Sequence, residues 1–382
     1  MTEKLFDFDG YLLSFDSRVL SCTEIEGGYA VVLVATAFAP EGGGQRSDIG
    51  RLGGAAVVDV RICDGIITHI TDAPLFVGET VHGEVDRERR IRHLQNHTGE
   101  HIVSGLLHSR YGYNNVGFHL GSEDVTLDID GTLDENMIRD IERAANEVVT
   151  ANLAVKAEYP APEVLKSLSY RAKLDLTENV RVVTIEGVDA CACCAPHVTQ
   201  TGEIGMIKLI SAIRYKGGTR IHMKCGFDAL DEFNAEYARA VSISNRISLP
   251  REAIAEGVDK LWEDLSAANF RIVGLKRELI ALKADAVKQT DGNFVFFEKD
   301  MDANELRMLV SAAASKVGGT CAAFSEDGKE CYSFVTRVHD EDFEAWRKTF
   351  CDKLNARGGG RAPFLQGKAN CTEGRIREFF GV

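Results

Sequence analysis

The sequence predicts an α+β chain of several domains: a small N-terminal β-barrel, an α+β domain, a long coiled-coil-like helical linker and a compact C-terminal α+β domain. Three observations carry this. Short apolar runs punctuated by glycine fill residues 1–88, helical and strand patterns alternate over 89–227, and a helical stretch over 228–290 carries an apolar heptad from Ile254 to Ala286 before mixed elements return over 291–382. At about 150 residues per domain, 382 residues call for more than one core.

In the first segment, Tyr29-Ala30-Val31-Val32-Leu33-Val34 and Ala55-Ala56-Val57-Val58-Asp59-Val60 read as strands, and Gly-rich turns between such runs suit a small barrel or sandwich. From Arg89 to Ser109 the pattern turns helical, with Ile91, Leu94, Val103, Leu106 and Leu107 on the core side and Gly112 as the stop. A second helix is expected from Asp134 to Asn152, and strands and turns from Arg181 to Phe227.

Between Ile254 and Ala286 the residues Ile254, Val258, Leu261, Leu265, Ala268, Ile272, Leu275, Leu279, Leu282 and Ala286 alternate spacings of four and three, the seam of a coiled coil or a long helical hairpin. Pro250 suits the first turn of that helix. The last segment reads as a strand Phe294 to Phe297, a helix Ala303 to Lys316, a hairpin turning at Ser325-Glu326-Asp327-Gly328 and a helix Glu341 to Leu354. Its end is locally basic, with Arg347, Lys348, Lys353, Arg357, Arg361, Lys368, Arg375 and Arg377 around Gly358-Gly359-Gly360.

A net charge of −14 argues against a surface given over wholly to nucleic acid, so any phosphate-facing region must be local. The N-terminus shows no basic leader with an apolar run, and no stretch approaches the ~18 apolar residues of a membrane span, so the cytoplasm is the expected compartment. Ten cysteines in so large a chain are read as thiols available to metal rather than as disulfides.

His97 and His101 lie four apart in the helical segment and so emerge on one face, as two ligands of one metal must. Glu100, beside them, is expected to point away as a solvated carboxylate. In Asp189-Ala190-Cys191-Ala192-Cys193-Cys194-Ala195-Pro196-His197, three thiols and an imidazole crowd into one loop, with Cys193 and His197 again four apart. Together the two clusters form a soft nitrogen and sulfur donor set that favours zinc over magnesium or calcium. Chemistry alone leaves Cys191, Cys193 and Cys194 as competitors. Glu41-Gly42-Gly43-Gly44-Gln45 would let backbone approach a ligand closely, or be a plain turn. No nucleotide-binding glycine motif sits between a strand and a helix.

These stretches resemble the editing domain of alanyl-tRNA synthetase and its freestanding AlaX relatives. The matching residues are Phe38-Ala39-Pro40-Glu41-Gly42-Gly43-Gly44-Gln45, Asn96-His97-Thr98-Gly99-Glu100-His101 and Cys193-Cys194-Ala195-Pro196-His197-Val198, continued by Thr201-Gly202-Glu203-Ile204-Gly205. The family pattern HxxxH followed by CxxxH selects Cys193 and implies zinc on His97, His101, Cys193 and His197. The glycine cluster Gly358-Gly359-Gly360-Arg361-Ala362-Pro363 extends the resemblance to the synthetase C-terminal region, associated with tRNA binding and self-association. With no stretch left for aminoacylation, the long AlaX form is expected.

The resemblance implies hydrolysis of the ester of tRNA(Ala) carrying serine or glycine. Gln45 and Thr98 are the expected catalytic-site residues, Gly42, Gly43 and Gly44 place amides near the ester, and Arg357 and Arg361 are expected to bind the tRNA. Homodimerisation would run through the linker or the C-terminal domain. The alternatives are a non-catalytic zinc module that binds tRNA, and a hydrolase for a threonyl-system substrate. Ala39, where the family often has Tyr, and Cys194-Ala195-Pro196, in place of the commoner Gly-Gly-Thr, depart from the pattern and bear on loop shape and amino-acid preference.

Overall fold

A computed structural model of the chain describes residues 1–121, 125–172, 180–328, 330–339 and 342–382. These form two compact units, Met1–Ser242 and Ile243–Val382.

The first unit opens with a closed six-stranded barrel in the order Ser14–Ile25, Gly28–Leu33, Ile66–Thr71, Ala55–Cys63, Gly50–Leu52 and Thr80–Val85. Alternation along the strands sends Phe15, Val19, Val31, Leu33, Val57, Val60 and Ile67 inward and leaves Val34 and Val58 exposed. A buried polar chain crosses this apolar interior. His69 Nδ1 donates to the Val31 carbonyl at 3.1 Å, the Thr36 hydroxyl donates to His69 Nε2 at 2.8 Å, and Phe38 N–H donates to Thr36 Oγ1 at 3.1 Å. The chain ends at the start of the glycine-rich loop, whose base is closed by paired backbone and side-chain bonds between Ala39 and Asp48.

Helix α1, Arg87–Tyr111, follows. Asp86 caps it by accepting from Arg89 N–H at 2.8 Å, and Gly112, with φ of 70°, ends it in the left-handed region. Leu94, Val103, Leu106 and Leu107 face the core as expected, with Ile91 half-buried beside them. One turn into the helix, Arg90 is fully buried; it pairs with Asp48 and donates to the carbonyls of Ala37 at 2.6 Å and Gly10 at 2.8 Å.

Against α1 lies an antiparallel sheet in the order Ile207–Tyr215, Gly218–Cys225, Val125–Ile129 and Asn115–Leu120. Helix α2, Glu135–Ala151, is capped by Asp134 and Asn152, close to the predicted bounds. A three-stranded sheet, Val155–Glu158, Val182–Ile185 and Asp189–Ala192, delivers the cysteine-rich segment. The short α3 is Pro162–Ser167, and α4, Gly226–Ile247, contains the boundary between the units.

In the second unit, helix α5, Ile254–Asp285, follows Pro250 and a single 3-10 turn. Its heptad seam is not what docks: Val258, Leu261, Leu265, Ile272, Leu275, Leu279 and Leu282 are exposed, and Ile280 and Ala284 enter the core instead. The reason is that helix α6, Ala303–Ala313, offers Leu306, Leu309 and Val310 only to the C-terminal end of α5 and on a neighbouring face. A five-stranded sheet runs Phe294–Lys299, Cys321–Glu326, Cys331–Arg337, Phe364–Asn370 and Ala356–Arg361, parallel in the first pair and antiparallel thereafter. Along Cys321–Glu326, Cys321 and Ala323 belong to the core cluster with α6, whereas Ala322 and Phe324 belong to the cluster of α7, Phe343–Lys353, and α8, Glu373–Phe380. Among the described residues no helix is long and apolar enough to cross a membrane.

Candidate metal centre

The donor atoms of His97, His101, Cys193 and His197 all lie within 4.8 Å of one another. The two helical histidines come from adjacent turns of α1, and Cys193 and His197 from the segment that leaves strand Asp189–Ala192. Buried Arg181 holds that segment in shape: its guanidinium donates to the carbonyls of Cys193 at 3.1 Å and Ala195 at 2.7 Å, and Cys193 N–H returns a bond to the Arg181 carbonyl at 3.0 Å.

Each imidazole is anchored through Nδ1. His97 Nδ1 lies 2.7 Å from Gln45 Oε1, His101 Nδ1 lies 3.1 Å from Asp189 Oδ2, and His197 Nδ1 lies 3.1 Å from Thr98 Oγ1. Gln45 Oε1 and the Asp189 carboxylate can only accept, and the Thr98 hydroxyl proton is committed to the Leu94 carbonyl at 2.8 Å. All three rings therefore donate from Nδ1 and, when neutral, carry their lone pair on Nε2. That lone pair faces the thiol: His97 Nε2 is 3.5 Å and His197 Nε2 3.3 Å from Cys193 Sγ. Three Nε2 atoms beside one sulfur, each ring oriented by an acceptor behind it, fit a soft divalent cation in donor type and in the hydrogen bonds that hold the donors.

Electrostatics agree with shared occupancy of one centre. Burial pushes the Cys193 thiol up, but the charges of His97 and His197 and hydrogen bonds from His101 and His197 hold it well below its ordinary value. Burial pushes His197 down to about 3. Burial works against charge on His101 too, yet its bonds to Asp189 and Cys193 hold that imidazole well above its usual range. Lone pairs that compete for a proton in this way are the ones a metal would take.

Asp189 is the support that sequence reasoning missed as a functional residue. It is buried, and Arg171 binds it through both oxygens at 2.8 and 2.9 Å. Cys191 also brings its donor near those of His101 and Asp189, but with Asp189 oxygens engaged by Arg171 this trio reads as backing for His101. No motif in the sequence could have found Arg171; it reaches Asp189 by pairing beside Cys191 as an isolated bridge. Gly105, one turn beyond His101, permits the approach: a Cβ there would stand 2.5 Å from the Val188 carbonyl and 2.7 Å from Asp189 Cβ.

Three expectations change. Glu100 is buried, not solvated: its Oε1 accepts from Ser104 Oγ and, at 2.7 Å, from Asn115 Nδ2, and it lines a cavity of about 590 Å³ together with His97, His101 and Cys193. It lies one residue from His101 on the helix, so the strand Asn115–Leu120 packed on that side meets it. Thr98 does not face the cavity; it is fully buried, and its oxygen is engaged by Leu94, His197 and Val198 N–H. Gln45 likewise stands behind His97. Of the glycines, Gly43 lines the cavity, whereas Gly44, at φ of 87°, pairs with strand Asn115–Leu120 where any Cβ would collide with the Phe118 carbonyl. Cys194 also lines the cavity, and so do Lys4, Tyr159 and Tyr170. Arg357 and Arg361 lie exposed on the edge strand Ala356–Arg361 of the second unit. Arg347, Lys368 and Arg377 are paired to Glu344, Asp327 and Glu373, leaving the edge-strand arginines without ion-pair partners among the described residues.

Residues 180–222, which include Cys193 and His197, match the family described as threonyl and alanyl tRNA synthetase second additional domain. Over 391 residues, 95% of this chain and 92% of its relative, the sequence is 29% identical to an alanyl-tRNA editing protein of Danio rerio. It is 31% identical over 358 residues to the alanine–tRNA ligase of Halorubrum lacusprofundi and 33% identical over 296 residues to that of Pyrococcus furiosus. The matches cover 38% and 32% of the lengths of those ligases. Residues 180–222 thus carry the segment which that family model describes, within a longer chain. The chain as a whole is homologous to alanyl-tRNA synthetase and to the alanyl-tRNA editing proteins.

Proposed function

We propose that the protein is a hydrolase of mischarged tRNA(Ala), releasing serine and also glycine from the terminal ribose ester. The observation that carries this reading is the convergence of three Nδ1-anchored imidazoles on Cys193 Sγ, with His97, His101 and Cys193 in the wall of the cavity. The need for such an activity is physical: an alanine site discriminates against a missing methyl or an added hydroxyl by only about 1–3 kcal/mol, so a second, hydrolytic site must remove the errors.

His97, His101, Cys193 and His197 would hold zinc. Bound there, zinc would supply Lewis acidity and positive charge beside the ester. Four protein donors are the usual complement of a closed site, so positioning falls to the cavity wall. Gly43 offers backbone close to the substrate, and Lys4 supplies positive charge for the terminal phosphates, with Tyr159 and Tyr170 as surfaces for bases. Gln45 and Thr98 act through His97 and His197. The segments 1–88, 89–227, 228–290 and 291–382 are proposed to serve in turn as loop-bearing barrel, hydrolytic domain, linker and tRNA-binding domain, with Arg357 and Arg361 on the tRNA and the exposed α5 stripe joining a second copy in the cytoplasm.

The test is a panel of charged tRNAs, seryl-, glycyl- and alanyl-tRNA(Ala) with a mischarged threonyl tRNA, given to wild-type protein and to His101→Ala. Deacylation of seryl-tRNA(Ala) that disappears with His101→Ala, along with bound metal, supports the reading. Tight tRNA binding without turnover would leave a binding module, and preference for the threonyl tRNA would move the substrate.

A further inference from the structure

Two buried carboxylates stand near the candidate metal centre in different surroundings, and only Glu100 lines the cavity. Both oxygens of Asp189 are engaged, by Arg171 and His101. Glu100 is 4% exposed and carries both of its hydrogen bonds, from Ser104 and Asn115, on Oε1. Its Oε2 accepts from no described residue, while the side chain lines the cavity with His97, His101, Gly43 and Cys193. Two donors locking one oxygen fix the rotamer and leave the other as a lone acceptor, an arrangement suited to a cation from the substrate. Arg171 and His101 lie within electrostatic reach of Glu100, and the cost of burying Oε2 without a hydrogen bond is relieved when such a donor arrives.

We infer that Glu100 Oε2 binds the α-ammonium of the aminoacyl group, so that the site recognises esters with a free amino terminus and excludes those whose nitrogen is acylated. This rests on the proposed function, because the ligand is the aminoacyl end of a charged tRNA. An aminoacyl ester carries its positive charge one carbon from the ester carbonyl, so an acceptor in the wall that holds His97 and His101 can bind that charge while the ester lies at the metal centre. A peptidyl or N-acetylated ester offers an amide there, which has no charge and is bulkier. Ser104 and Asn115 are positioning residues: both hold Glu100 through Oε1.

Glu100→Gln keeps an oxygen for Ser104 and Asn115 and places an amide NH₂ where the ammonium would sit. With the non-hydrolysable probe 3′-(L-seryl)amino-3′-deoxyadenosine, wild type is expected to bind at least 10-fold more tightly than Glu100→Gln, and the N-acetylated probe to bind both proteins equally weakly. With seryl-tRNA(Ala), the variant should show raised KM and unchanged metal content. Equal binding of the free-amine probe by both proteins, or a wild type that accepts the N-acetylated probe as well as the free amine, would overturn the inference. A variant that loses metal is replaced by Ser104→Ala, which frees the carboxylate to rotate and should weaken only the free-amine probe; no change there also overturns it. If wild type binds the free-amine probe selectively but hydrolyses no charged tRNA, the proposed activity fails and the recognition stands.

Discussion

His97 donates from Nδ1 to the buried side-chain oxygen of Gln45 at 2.7 Å, which ties α1, the helix of two candidate metal donors, to the end of a glycine-rich loop. That single bond gives the loop a purpose beyond contact with substrate, because it decides which ring nitrogen of His97 carries the lone pair. Gln45→Met keeps the volume and removes the acceptor. Zinc affinity should fall about 10- to 100-fold, read by competition with a chromophoric chelator. Unchanged affinity would show that His97 is oriented by something else.

Gly105 sets how closely α1 approaches the strand that carries Asp189. Gly105→Val should push the helix away, cost about 1–3 kcal/mol of stability as an overpacked core does, and weaken metal binding through His101. Urea denaturation with a parallel zinc titration measures both. A variant as stable and as zinc-avid as wild type would refute the packing argument.

Burial lowers His69 from 6.5 to about 4, since the neutral ring bridges Val31 and Thr36 inside the barrel. Below pH 6.5 the unfolded chain takes up a proton at this ring that the folded chain refuses until about pH 4. Stability is therefore full above 6.5 and declines as pH falls toward 4, by about 3 kcal/mol at most, using 1.36 kcal/mol for each unit of pH across that interval. Denaturation midpoints at pH 7 and 4.5 should diverge more for wild type than for His69→Gln. Equal divergence would place the acid sensitivity elsewhere.

Arg357 and Arg361 stand on the same face of an edge strand, exposed and without ion-pair partners among the described residues. Substituting both with Ala should weaken tRNA binding across tRNA sequences and reduce the slope of log affinity against log salt by about 2, roughly 1 for each phosphate contact. A slope that does not move puts the tRNA elsewhere.

The histidine and cysteine pairs were legible because helical spacing and donor chemistry are local properties: His97 with His101 needs only one turn of helix, and Cys193 with His197 one loop. Singling out Cys193 needed the family pattern. The caps at Asp134, Asn152 and Gly112 were legible for the same local reason. What escaped depends on distant packing. Glu100 reads as a surface residue until strand Asn115–Leu120 is laid on it, and Arg171 has no signature because it reaches Asp189 only through tertiary pairing. The hairpin of Ala356–Arg361 with Phe364–Asn370 was hidden by its glycines, which carry little strand propensity but fit where Gly358 and Gly367 face each other. The α5 seam was read correctly as helical, yet its docking face was set by where α6 lies.

The frozen guanidinium of Arg90 makes residue 88 a poor place to cut the chain. Its bonds to Gly10, Ala37 and Asp48 sew the first turn of α1 to three separate stretches of the barrel, so excising either piece strands a buried charge with nothing to answer it. Barrel and helix α1 should accordingly melt as one block, and a chimaera that exchanges one half must supply a new partner for this guanidinium.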